Sequence, residues 1–160
     1  MKAIKINPFD QTTSMIELDS DDLASVRQHL SRPEADIEVS FFDVFRFGGD
    51  TKDIIYVDDE GLFQQNQAFF RVGAIPLAGI GLLVGTGHDG EDTDPNLSLA
   101  QIDYLFERNV FSWVKAENPS LAADQALREI AIANEIAAQT MEASGHTVKR
   151  TPFGFITQIG

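Results

Sequence analysis

Four carboxylates, Asp89, Glu91, Asp92 and Asp94, surround a permissive Gly90 in the stretch His88-Asp89-Gly90-Glu91-Asp92-Thr93-Asp94. Hard oxygen ligands at this density suit a calcium-like cation, which makes these four the candidate metal ligands. Their order departs from an EF-hand loop, in which glycine is sixth and a glutamate closes the loop at position twelve. A solvated surface loop accounts for the same composition without a metal. His88 opens the stretch, but His29 and His146 lie far off in sequence and no paired-histidine zinc motif is present.

Just upstream, glycine recurs as Gly79-x-Gly81-x-x-x-Gly85-x-Gly87. The pattern approaches a dinucleotide fingerprint, which requires a helix opening directly onto the phosphates. Here carboxylates follow the glycines and no helix cap occurs before Ser98, so the glycines are expected to mark close backbone approach in a central strand. Asn66 would supply a donor and an acceptor to a small molecule, and Arg71 an anion contact. With His88 they form a candidate ligand-binding set, beside which Asp89 or Asp92 would serve as metal ligand or base. An asparagine next to a turn, however, ordinarily satisfies local backbone groups. Asp43 stands among Phe41, Phe42, Phe45 and Phe47, either as a buried acid with a raised pKa or, more simply, as an outward-pointing residue at an irregularity. None of these groups forms a nucleophile and base pair. The chain is expected to bind rather than catalyse, and no cofactor is expected.

The elements that would position these residues can be read from periodicity. Lys2 to Asn7 alternates as a strand, and Ser14 to Leu18 is a short returning strand. Asp19 has the place of a helix cap, with Asp22 at the third helical position and Leu18 and Leu23 at staple spacing. Leu23, Val26 and Leu30 then form a one-sided stripe that ends before Pro33. Ile37 to Phe47 is predicted as the longest strand, bulged near Phe42 to Val44. Asp53 to Val57 is another strand, ending in the turn Asp58 to Gly61. The apolar run Ala74 to Val84 predicts one buried strand.

Ser98 and Gln101 make a capping box, Leu97 and Ile102 stand at staple positions, and Leu99, Ile102, Phe106 and Val110 form the stripe of a second helix. Asp103 and Glu107 share its wet side. Phe111, Trp113 and Val114 either close that helix or plug the core after it. Asn118-Pro119 opens a third, alanine-rich helix that runs to Ser144 with Gly145 as its stop; its apolar residues spread over more than one stripe. Thr147 to Ile159 is a last strand that Pro152 places at an edge or divides.

At 160 residues the chain fits one domain, a core of 1–111 with a helix-strand extension over 118–160. The absence of cysteine leaves no disulfide framework and no thiolate metal site. The start from Met1 to Asn7 lacks a signal-peptide core, and no run approaches a membrane span, so a soluble cytoplasmic protein with no membrane association is expected. Twenty-five acidic residues face twelve basic ones, for a net charge of −13 spread over both halves of the chain. Such a field repels a phosphate backbone, and direct nucleic-acid binding is not expected. Acidity of this kind serves solubility, or mimicry of a charged ligand.

Asp59-Glu60-Gly61-Leu62, Asn66-Gln67-Ala68, Ala78-Gly79-Ile80-Gly81-Leu82-Leu83-Val84-Gly85 and Leu97-Ser98-Leu99, in that order, carry a family likeness. Over about a third of its length the chain resembles a family of short proteins borne by phages, prophages and plasmids and known as a domain of unknown function. The resemblance implies a mobile-element setting in a bacterial host and no catalytic residues. The expected fold class is α+β, a mixed or mainly antiparallel sheet with helices packed on one face. The expected function is that of a small acidic accessory protein that binds a host or element protein, one use of which would be to block a nucleic-acid or defence enzyme. The alternative is a nucleotide- or metal-binding protein with its pocket near Asn66 and the loop 88–94.

Overall fold

A computed structural model describes residues 1–19, 22–35, 37–46, 52–61, 64, 68–114, 119–151 and 154–158. The fold is α+β, and its named strands pair antiparallel throughout. In chain order the main sheet comprises β1 (Lys2–Asn7), β2 (Thr12–Glu17), β3 (Phe42–Arg46), β4 (Asp53–Asp58) and part of the later chain. A hairpin of β5 (Phe69–Val72) and β6 (Ile75–Ala78) leaves that sheet, and β7 (Gly81–Thr86) returns to its centre. The spatial order is β2-β1-β7-β4-β3, with the two-residue β8 (Asp92–Thr93) added to the end of β7.

β4 and β7 are buried on both faces, which explains their nearly continuous apolar sequences. Alternation divides them between two cores. Ile54, Tyr56, Leu82 and Val84 join Ala3, Leu18 and Val39 under α1 (Leu23–Leu30), which contributes Val26 and Leu30. Ile55, Val57 and Leu83 join Ile4, Ile6, Phe70, Val72, Leu77 and Phe111 on the other side, with Ile102 of α2 (Leu99–Glu107). The first two helices therefore take opposite faces of the main sheet, where the sequence suggested a single face, because each face has its own apolar set to cover.

The run 74–84 is two strands in two sheets. Gly73 and Gly79 both have positive φ, +59° and +80°, which glycine adopts without steric cost. Gly73 and Ala74 turn β5 into β6, and Gly79 redirects the chain into β7. Both halves are buried, so their composition gives no sign of the break. β5 pairs on its other edge with β9 (Phe111–Trp113), making a three-stranded sheet β6-β5-β9. Phe111, Trp113 and Val114 thus belong to a strand and its end, and the Trp113 ring stacks on Phe106 with centroids 4.3 Å apart.

Helix boundaries show where local signals sufficed. Ser98 and Gln101 form the capping box, and Leu97 and Ile102 both join the core. Arg108 caps the other end, Asn109 turns left-handed at φ +57°, and Val110 falls outside the helix with 46% exposure, leaving Leu99, Ile102, Leu105 and Phe106 as the stripe. For α1 the cap is Asp22, whose carboxylate accepts from Ala24 N–H at 2.8 Å, in place of Asp19. Starting there puts Leu23 at the first helical position, 62% exposed, so it does not staple to the buried Leu18.

α3 (Pro119–Ala143) ends as expected: Gly145 has φ +87°, its N–H donates to Glu142 and that of His146 to Met141. β10 (Thr147–Thr151) and β11 (Gly154–Gln158) form a separate hairpin that packs against α3, and α3 also packs on β6. The last strand is therefore divided. Among the described residues no helix is long and apolar enough to cross a membrane.

Candidate functional site

The acidic loop grows out of the end of β7. Gly87 N–H donates to Glu91 C=O at 2.8 Å and Gly90 N–H to Gly87 C=O at 3.2 Å, so 87–91 is a tight turn that delivers β8 back onto β7. A Cβ on Gly85 would strike the Asp94 carbonyl and the Thr93 hydroxyl, and one on Gly87 would strike the Glu91 carboxylate. On Gly81 it would meet the Phe70 ring at 2.6 Å. These glycines are sites of close approach, as their place in a central strand suggested.

Each carboxylate of the loop that makes a contact makes it within the chain. Both oxygens of Asp92 lie 2.8 Å from the Tyr56 hydroxyl, which donates to them. Burial, then this bond and the charge of Asp92, raise the Tyr56 pKa. Asp94 Oδ1 accepts from Lys2 N–H at 2.8 Å, and Glu91 Oε2 from Asp89 N–H at 2.9 Å. His88 and Asp89 are exposed. Among the described residues no three His, Cys, Asp or Glu side chains gather as a metal site.

Arg71 is directed elsewhere. It lies on β5, and its Nη2 meets Glu129 Oε1 of α3 at 2.6 Å, so the anion at this guanidinium comes from the chain itself. Its Nε is buried without a hydrogen-bond partner among the described residues. Asn66 lies outside the described residues. Asp43 is exposed on β3, the outward-pointing option.

Among the described residues the buried acid is Asp53, which sequence reasoning treated only as the start of a strand. It is 2% exposed, on the α2 side of β4. Oδ1 accepts from Asn96 N–H at 2.8 Å and from Asn96 Nδ2 at 2.9 Å, and Oδ2 from Leu97 N–H at 2.9 Å. A carboxylate on a central strand thereby pins the approach to α2 and satisfies donors that precede its cap. An acidic residue heading an otherwise apolar strand was the one available signal.

Among the described residues an open concavity lies on the opposite side of the sheet. A groove of about 590 Å³ runs between the α1 face Ala24, Arg27, Gln28 and Ser31 and the segment from Glu38 to Phe41. That segment was predicted as strand, but β3 begins only at Phe42. Ile37 is bridged to Arg32, and Val39 N–H donates to Ser31 Oγ at 2.9 Å, which in turn donates to the Arg27 carbonyl. The main chain is thus committed to the end of α1 before it enters the sheet. Phe41, 67% exposed, lies at the groove.

The chain matches no protein-family model, no curated protein and no solved structure.

Proposed function

We propose that this chain is a small acidic accessory protein of a phage or plasmid that works in the bacterial cytoplasm by binding a host or element protein. The observation that carries the proposal is a contrast in how polar groups are used. Arg71, Glu91, Asp92 and Asp94, the groups best suited to a small ligand or metal, are engaged by Glu129, the Asp89 N–H, Tyr56 and the Lys2 N–H. The groove beside α1, with exposed Phe41 and the polar side chains of Arg27, Gln28 and Glu38, is open. An open groove with an aromatic side chain suits a protein partner, since aromatic anchors carry much of the energy of such interfaces. The distributed charge of −13 would steer basic surfaces toward it and keep nucleic acid away. An acidic protein of this kind suits the basic cleft of an enzyme that handles nucleic acid.

The test is affinity capture from host lysate with the tagged full chain at moderate salt, followed by titration of the recovered protein. Saturable enrichment of one partner is expected. Recovery of no partner that binds saturably would overturn the proposal.

A further inference from the structure

We propose that Asp89-Gly90 is a site of spontaneous covalent modification, at which the Asp89 carboxyl and the Gly90 nitrogen close to a succinimide that water reopens to isoaspartate. The modification lengthens the turn 87–91 and releases it from the end of β7.

The sequence holds a single Asp-Gly pair and no Asn-Gly pair. Glycine is the following residue that obstructs such a closure least, because no Cβ screens its nitrogen. The fold leaves the pair accessible and the acid unoccupied. His88, Asp89 and Gly90 are all exposed. Glu91, Asp92 and Asp94 engage the Asp89 N–H, the Tyr56 hydroxyl and the Lys2 N–H, and Asp53 engages Asn96 and Leu97. The Asp89 carboxylate, by contrast, has no hydrogen bond or ion pair among the described residues, so its side chain can turn toward the main chain. A Cβ built on Gly90 would meet nothing within 4 Å, which leaves room for the ring. The Gly90 nitrogen is lightly held, by one bond of 3.2 Å to Gly87 C=O, at the long end of the N–H···O range.

The steps balance with water as the sole co-reactant. The Gly90 nitrogen attacks Cγ of the Asp89 carboxylic acid, the N–Cγ bond forms, and the amide hydrogen and the acid hydroxyl depart together as water. Hydrolysis at Cγ restores aspartate. Hydrolysis at the main-chain carbonyl of Asp89 breaks its bond to Gly90 and leaves the chain running through Cβ and Cγ, one atom longer than before. The turn has no place for that atom. It is closed by Gly87 N–H to Glu91 C=O at 2.8 Å and by Gly90 N–H to Gly87 C=O, and the link between residues 89 and 90 lies inside both closures. β8 follows at once, with Asp92 paired to Thr86.

The experiment ages the full chain in neutral buffer at physiological temperature. Isoaspartate is read by transfer of a labelled methyl group from S-adenosylmethionine, catalysed by an isoaspartyl carboxyl methyltransferase, and is located by peptide mapping with electron-transfer fragmentation. Label should rise with time in the peptide that holds residues 89 and 90, preceded there by a species lighter by one water. Asp89→Glu keeps the charge but would have to close a larger, slower-forming ring, and it should lose that label while keeping the wild-type melting temperature. In the modified fraction, hydrogen exchange at the Gly87 and Gly90 amides should accelerate while the β4 and β7 amides keep their protection. No label above the starting sample, label confined to other aspartates, label that appears only when the chain is unfolded in urea, or label undiminished in Asp89→Glu would each overturn the site. Unchanged exchange at Gly87 and Gly90 in the modified fraction would overturn its effect on the turn. Peptide mapping of the unaltered chain decides the site even if Asp89→Glu fails to fold.

Discussion

The loop 87–97 and the segment 38–41 both lie outside the regular strands of the main sheet, and they dispose of their polar groups in opposite ways. The loop is crowded with carboxylates, and Glu91, Asp92 and Asp94 accept hydrogen bonds from donors within the chain. The segment has few charges, and among the described residues Glu38 and Ser40 form no backbone hydrogen bond beside the groove they line. Composition alone therefore does not show how a region uses its polar groups. A carboxylate in such a loop is as useful to the fold, as an acceptor for stranded N–H groups, as it would be to a metal. What distinguishes a site for a partner is the set of groups the fold has not used.

Breaking the loop's inward connections should show this most strongly at Asp53. Asp53→Ala removes an acceptor of three hydrogen bonds and leaves Leu97 N–H and Asn96 N–H without it. A loss on the order of 3 kcal/mol is expected in urea unfolding, since buried donors stranded by loss of a charged acceptor cost more than a neutral bond. A change near zero would show that Asp53 does not anchor the approach to α2. Gly81→Ala comes next. Its new Cβ would lie 2.6 Å from Phe70 Cζ and 3.0 Å from Ile55 Cγ2, both in the core. Overpacking of this kind should cost about 1–3 kcal/mol, read as a lower denaturation midpoint with an unchanged slope.

The uneven legibility of these features in the sequence has a physical cause. The capping box of Ser98 and Gln101 and the stop at Gly145 are local, made between a residue and the backbone a few positions away, and they stand where the residue types predict. The α+β class was legible too, because strand alternation and helical stripes report burial directly. The role of Asp53 was hidden because its donors are 43 and 44 residues away. Glu129 hides Arg71 in the same way, from a distance of 58 residues. At 74–84 the pattern itself misled, since two buried strands in different sheets read as one until the positive φ of Gly79 is known. Asp22 displaced Asp19 as the cap of α1 because aspartates at both positions offer the same chemistry.

Tyr56 tests the loop's second anchor by pH. Its hydroxyl is the donor to Asp92, so Tyr56→Phe should cost about 1.5 kcal/mol at neutral pH, measured by thermal or urea unfolding. Burial raises its pKa above the ordinary 10.0, which means the folded state holds the phenolic proton more tightly than the unfolded chain does. The corresponding stability is complete below about pH 10 and declines as the pH rises beyond it. Wild type should therefore lose stability in that alkaline range more steeply than Tyr56→Phe. Parallel alkaline profiles would show that the hydroxyl is not held in this way.

The smallest effect belongs to Arg150, which reaches from β10 to Glu135 and Glu142 on α3, with nearest contacts of 2.8 Å to each. All three side chains are exposed, so salt screens the network and Arg150→Ala should barely change the melting temperature. Its signature lies in titration. Hydrogen bonds from Arg150 hold both glutamates below the ordinary carboxylate range. In Arg150→Ala their side-chain ¹³C titrations should return to that range. The associated stability is present above the ordinary glutamate pKa and is lost as pH falls through the depressed values. Unchanged titrations would mean that α3 and the hairpin are joined by packing alone, and the contrast with the buried carboxylate of Asp53 would sharpen. A charge held by three hydrogen bonds in the interior shapes the fold, whereas a charge network in water reports on it.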